Sequence, residues 1–242
     1  MGGLIALIAQ ANTAGQLVAE WVSRLTPLFM VALLMLGTWN SALSMVYGLW
    51  RPMLFFLGLN LAFLLLRAAT VCRREKLRLQ NLLEKMKESF VIAFKNASVD
   101  AAYGANINCC EKKLGIDRRL TSYGLPLGLV IYMPSATVAV MILAAYLAGE
   151  YQITVSPFWY IMAVILTVAL LAATPPVAGI GMLTYAVLFS KLGIPKEALV
   201  PAVVADIVLS HAVSALNQAM LQLELILAAE RQGALKKNLL QK

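Results

Sequence analysis

At 242 residues, with 61% hydrophobic and 13% charged residues and a mean hydropathy of +0.78, the chain is too apolar for a soluble domain. Its net charge of +8 sits in short stretches beside apolar runs, which fits a membrane protein and argues against nucleic acid as a partner. Three cysteines, two of them adjacent at Cys109 and Cys110, and one histidine, His211, supply neither a disulfide framework nor a metal-ligand spacing.

The opening "MGGLIALIAQANTAG" has no basic n-region, so no cleavable signal is expected. A membrane span needs about 20 apolar residues. The first candidate runs from Leu25 to Val46 and the second from Pro52 to Val71. A basic stretch follows, and then a piece over residues 88–111 that is too short and too polar for an ordinary span. The next apolar segment, Thr121 to Gly149, contains "YMPSAT" near its middle. Pro134 lacks an N–H and clashes with the preceding turn, so the spacing predicts a helix broken there. Inside a bilayer such a break persists only where protein or a cavity surrounds it. A long apolar run from Phe158 to Phe189 reads "AATPPVAGIGM" at its centre, with Pro175, Pro176, Gly179 and Gly181. Prolines and glycines there predict two half-helices meeting at an irregular tip. The last segment, Ala198 to Ala229, carries Asp206, His211, Asn217 and Glu224 in an otherwise apolar helix.

Sixteen of the 20 Lys and Arg lie in or beside residues 67–95, 112–119 and 231–242. The positive-inside rule puts these regions in the cytoplasm, including 73–87 and the C-terminus. The pieces over 88–111 and 157–193 then become re-entrant hairpins opening to opposite sides, with tips that meet near the bilayer midplane. The expected fold is an all-α membrane protein, with transmembrane helices plus two re-entrant helical hairpins in an inverted-repeat arrangement. Residues 1–72 form an N-terminal region with two spans, and 73–242 form a transport-domain-like core.

Four phrases, "NLLEKMKESFVIAF", "EKKLGIDRRLTSYGLPLG", "YMPSAT" and "TPPVAGIG…SKLGIP", occur in an order and spacing that resembles the C-terminal half of the dicarboxylate/amino acid:cation symporters, the glutamate-transporter family. The likeness covers roughly residues 22–233. It implies two spans, a first hairpin, a helix broken at its centre, a second hairpin and a last amphipathic helix. Several earlier helices of the family would have no counterpart, so a truncated, divergent relative is expected.

The resemblance also implies where the family's chemistry would lie, and there the residues depart. The serine-rich first tip keeps Ser98 in "KNASVDAAYG". In the broken helix Tyr132 replaces an Asn, Pro134 the sodium-binding Asp, and Ser135 with Ala136 a Gly-Thr pair. The second tip keeps Gly179 and Gly181. In the last helix Asp206 and Asn217 match. Ser210 stands at the Asp that receives the substrate amino group, Val213 at the Arg that grips its carboxylate, and Leu221 at a late sodium ligand. Ser98, Ser135, Gly179, Ser210 and Asp206 are thus the candidate substrate-binding residues, and Asn217 is a lone sodium-ligand candidate. No cofactor is expected, and loss of both aspartates argues against Na+ coupling, because hard cations need several oxygen ligands.

Each singled-out residue also has a plainer role. Asp206 is a binding group by default in a membrane, or it hydrogen-bonds a neighbouring tip. Asn217 could bridge two helices. Ser210 and His211 form a proton path or simple polar contacts. Lys95 and Asp100 pair at the first tip, or Lys95 reaches water. Glu224, near a span end, is expected to snorkel or to be solvated. Two functions compete: secondary transport of a small solute, or a non-transporting membrane subunit or remnant. No nucleophile–base pair suggests an enzyme. The expected partners are the lipid bilayer, copies of the chain (a trimer by resemblance) or a missing-half partner, in a plasma or inner membrane.

Overall fold

The structure, a computed structural model, describes residues 47–173 and 181–241, with six isolated positions before them (10, 21, 28, 31, 32 and 35). The predicted span from Leu25 to Val46 and the second hairpin tip, including Gly179, lie outside the described residues. Every regular element named below is helical.

Helix α1, Trp50–Glu75, closes on Lys76 in the left-handed conformation, with Arg73 and Arg74 beside its negative end. Helix α2 is Leu79–Asn96. It begins earlier than the hairpin start expected at residue 88, because Leu82, Met86, Ser89 and Ala93 recur at helical spacing and are all buried. Residues 79–87 are therefore helix rather than a connecting stretch. Ala97 turns the chain at φ 48°, and Ser98 N donates to Ala93 O at 3.3 Å, which closes the helix end. Helix α3, Tyr103–Asn108, runs into a π-helical turn at Cys109–Lys113 and brings the chain back. Cys109 Sγ reaches Lys85 O at 3.3 Å, and Lys113 Nζ meets Glu88 Oε2 at 2.6 Å. That hydrogen bond holds the Lys113 ammonium above its ordinary pKa.

Asp117 accepts from Arg119 N at 2.8 Å and so starts helix α4, Arg118–Ile131. Helix α5 begins at once, at Pro134, and ends at Glu150. Helices α6, Pro157–Ala173, and α7, Gly181–Leu192, pack side by side. The Trp159 indole N–H donates to Leu192 O at 3.1 Å, tying the start of one to the end of the other. A 3-10 turn at Lys196–Ala198 leads into helix α8, Leu199–Arg231.

The 33 residues of α8 give a rod about 50 Å long, enough to cross a bilayer. It packs against α1, α2, α4, α5 and α7 and forms the axis of the core. In lipid the hydrophobic effect does not drive helices together, so close van der Waals approach must. Ala202, Ala205, Ala215, Ala219 and Ala229 provide it, all buried on this helix. Leu54, Phe55, Phe158, Ile161 and Ile165 remain exposed on α1 and α6, as a lipid-facing surface requires. By length and composition, Trp50–Glu75, Arg118–Glu150 and Lys196–Arg231 can each cross a membrane.

The chain after α8 folds under the first hairpin. Ile116 and Leu235 form an antiparallel bridge, and Lys236 N donates to Gly115 O at 2.7 Å. Gly115 has φ 72°, and a side chain there would strike Lys236 O, so glycine is needed on both counts. Lys85 Nζ donates to Leu239 O and Leu240 O, both at 2.7 Å, at the end of the short helix α9, Lys237–Gln241.

Candidate functional site

The break between α4 and α5 follows from Pro134. A residue before proline is pushed out of the helical region, and Met133 sits at φ −123°, ψ 58°. Proline is well suited to the first helical position, and α5 starts on it. The break leaves α5 with unpaired N–H groups at its start. One of them, Ser135 N, is caught by Asn217 Oδ1 at 2.8 Å across from α8. The candidate sodium ligand thus bridges two helices and stabilises the irregular backbone. Ser135 itself is fully buried, and its hydroxyl has no hydrogen-bond partner among the described residues. One turn along α8, Leu221 presses into the space over Gly128 of α4, where a side chain would overlap it. The position that the resemblance assigns to a sodium-ligand Asp is occupied by a packed hydrocarbon.

Towards α7 the same helix opens onto a cavity of about 170 Å³. Its polar groups are Asp206, Ser210 and Ser214 from α8 with Thr184 and Tyr185 from α7, and its floor is Ala136, Ala139 and Val140 of α5. Tyr185, fully buried, donates its O–H to Asp206 Oδ1 at 3.1 Å. The other carboxylate oxygen lies against the first residue of α7, where a Cβ on Gly181 would approach it to 2.5 Å. Glycine there lets the carboxylate approach the backbone of α7. Ser210 Oγ donates to Ile207 O at 2.6 Å, back onto its own helix. Val213 also lines the cavity, so the position that the resemblance assigns to an Arg brings no guanidinium to it.

Glu224 departs from expectation. Its side chain keeps 31% exposure but is paired with Arg67 of α1, and it accepts from the Tyr132 hydroxyl at 3.3 Å. The reason lies in the length of α8, which continues to Arg231 and leaves Glu224 two turns inside the packed helix beside the break. Sequence alone hides this triad, because its members are 65 and more positions apart. The one available signal is two opposite charges in separate apolar segments, Arg67 and Glu224.

Ser98 lies on the first tip and accepts from Ala101 N at 3.3 Å; it does not line the cavity. Lys95 and Asp100 are both exposed, and no ion pair joins them among the described residues. His211 Nδ1 sits 2.7 Å from Phe94 O, so that nitrogen carries the proton and donates. This turns the imidazole towards the first hairpin and away from Ser210's own bond. Asp206, Ser210 and Gly181 therefore converge on one cavity, Ser135 and Asn217 meet at the break, and Ser98 stands apart. Between α8 and the first hairpin, Gln222 Nε2 donates to Ser89 Oγ at 2.9 Å and Asn106 Oδ1 at 2.6 Å, a buried polar seam that the sequence does not single out.

Comparison with known proteins finds a family model, described as the sodium:dicarboxylate symporter family, that matches residues 2–222. The chain is 27% identical over 203 residues to the proton/glutamate-aspartate symporter of Escherichia coli K12, covering 83% of this chain and 46% of that protein. It is 28% identical over 197 residues to the serine/threonine transporter SstT of Bifidobacterium adolescentis, covering 79% and 45% respectively. An excitatory amino acid transporter of Caenorhabditis elegans is 29% identical over 133 residues, 54% of this chain and 26% of that one. The chain thus spans less than half the length of these relatives.

Proposed function

Because the chain belongs to the sodium:dicarboxylate symporter family, whose members are transporters and not enzymes, we propose that it forms the solute-handling half of a membrane secondary transporter. The observation that carries this reading is the broken helix. A mid-span interruption is costly in lipid, yet Asn217 holds it open beside a cavity that contains a carboxylate.

In this reading residues 73–242 form the transport core, and the two helical hairpins are re-entrant, enter from opposite faces and are related as inverted repeats. The Lys and Arg distribution supports a cytoplasmic C-terminus in a plasma or inner membrane. Copies of the chain, as a trimer, or a second polypeptide supply the remaining scaffold. The solute is not an acidic amino acid taken up with sodium. Val213 faces the cavity without a positive charge, and Leu221 fills the space over Gly128. That plug favours one rival, a subunit that keeps the fold without moving solute.

Uptake into proteoliposomes, with and without a sodium gradient, tests both. Uptake of a small solute that ignores the sodium gradient supports transport. Silence across amino acids, amines and dicarboxylates supports the rival. Micromolar, sodium-dependent aspartate binding would sink the proposed selectivity.

A further inference from the structure

The cavity between α5, α7 and α8 contains a carboxylate that no cation faces among the described residues. Asp206 accepts one hydrogen bond, from Tyr185, whereas an ionised carboxylate has about four acceptor sites. Among the described residues no Lys, Arg or His lines the cavity, and His211, the next residue after Ser210, is turned to Phe94 instead. A carboxylate at membrane depth is costly unless a cation faces it. The remaining walls say what kind of cation fits. Ala136, Ala139 and Val140 are apolar, so they suit an alkyl group rather than a hydration shell. An inorganic ion would need several further oxygen ligands in a tight shell, which the described lining does not supply. A volume of about 170 Å³ suits a small organic ion. Val213 and Leu171 offer nothing to a carboxylate.

We propose that this cavity binds a small primary alkylammonium ion without a carboxylate, its ammonium on Asp206 and its alkyl group on the α5 floor. This rests on the transport reading for its biological use, but not for its chemistry. The ammonium carries three donors, which the free lone pairs of Asp206 and the hydroxyl oxygen of Ser210 can accept. The amide oxygen of Asn217 is occupied by Ser135 N and takes no part.

The test is isothermal titration of the purified full chain in detergent at neutral pH. The probes are isobutylammonium chloride, its neutral isostere isobutanol, the zwitterion alanine, and sodium chloride. Saturable binding of isobutylammonium, at least tenfold tighter than isobutanol or alanine, is expected. Asp206→Asn should weaken it at least tenfold, and Ala139→Leu, which fills the floor, should do the same with the carboxylate in place. The comparison of charged and neutral isosteres uses the unaltered chain, so it stands even if a variant misfolds. Equal binding of amine and alcohol, tighter binding of alanine or sodium, or no saturable binding by well-folded protein would overturn the proposal. Amine binding without uptake in proteoliposomes would remove the transport reading and leave the site. Uptake of another solute without amine binding would do the reverse.

Discussion

Two stretches of α8 carry polar residues inside the same apolar helix, and they behave differently. Over residues 217–224 three polar side chains close onto a neighbouring element, Asn217 onto α5, Gln222 onto the first hairpin and Glu224 onto Arg67 and Tyr132, while the buried amide of Gln218 has no partner among the described residues. Leu221 fills the remaining space against Gly128. Over residues 206–214 the polar groups instead border a cavity, with Asp206 held by Tyr185 and Ser210 bonded only within its helix. Polar residues in a membrane helix are therefore not one class. Where partners saturate them they fix geometry, and where they face open volume they can serve a ligand.

The largest expected effect attacks the packed stretch. Leu221→Ala should cost about 3 kcal/mol by leaving a cavity, and Gly128→Ala about 1–2 kcal/mol by overpacking, read from denaturation of the purified protein in micelles. The double variant should cost at least about 1 kcal/mol less than the sum, because each change relieves the other. Strict additivity would mean that the two residues do not share that space. A smaller loss, about 1–2 kcal/mol, is expected for Asn217→Ala, which strands the Ser135 N–H; a neutral result would deny the bridge a structural role. The smallest effect belongs to the open stretch. Ser210→Ala should change stability by less than about 0.5 kcal/mol, since it removes only a bond to its own helix and alanine favours helix. A loss as large as that of Asn217→Ala would erase the contrast between the two stretches.

Much of this fold is legible in the chain because its signals are local. Pro134 breaks a helix wherever it stands, and its effect needs no knowledge of the surroundings. The turn between α2 and α3 is announced by polar residues over 96–108 between helical stretches. The start of α2 is less legible, since charges on one face of a helix look like a loop until Leu82, Met86 and Ser89 are seen to share the other face. The site is legible in part. Asp206 stands out because a carboxylate in an apolar helix is rare. Its partner, Tyr185, does not, because one tyrosine in an apolar run carries no mark of what it touches. The Arg67–Glu224 pair depends on how α1 and α8 are rotated against each other, which no local pattern records.

The folding of the last residues beneath the first hairpin has a mechanical consequence. Lys85 grips the carbonyls of Leu239 and Leu240, while Ile116 and Asp117 hold Leu235 and Ala234 through backbone contacts. The hairpin and the last long helix are thereby joined at both levels, by Gln222 in the interior and by this strap at the base. A load applied to either one is carried by the other. Sliding between them would have to break an ammonium–carbonyl clasp and a backbone bridge together, so they shift as one body, and any hinge must lie elsewhere.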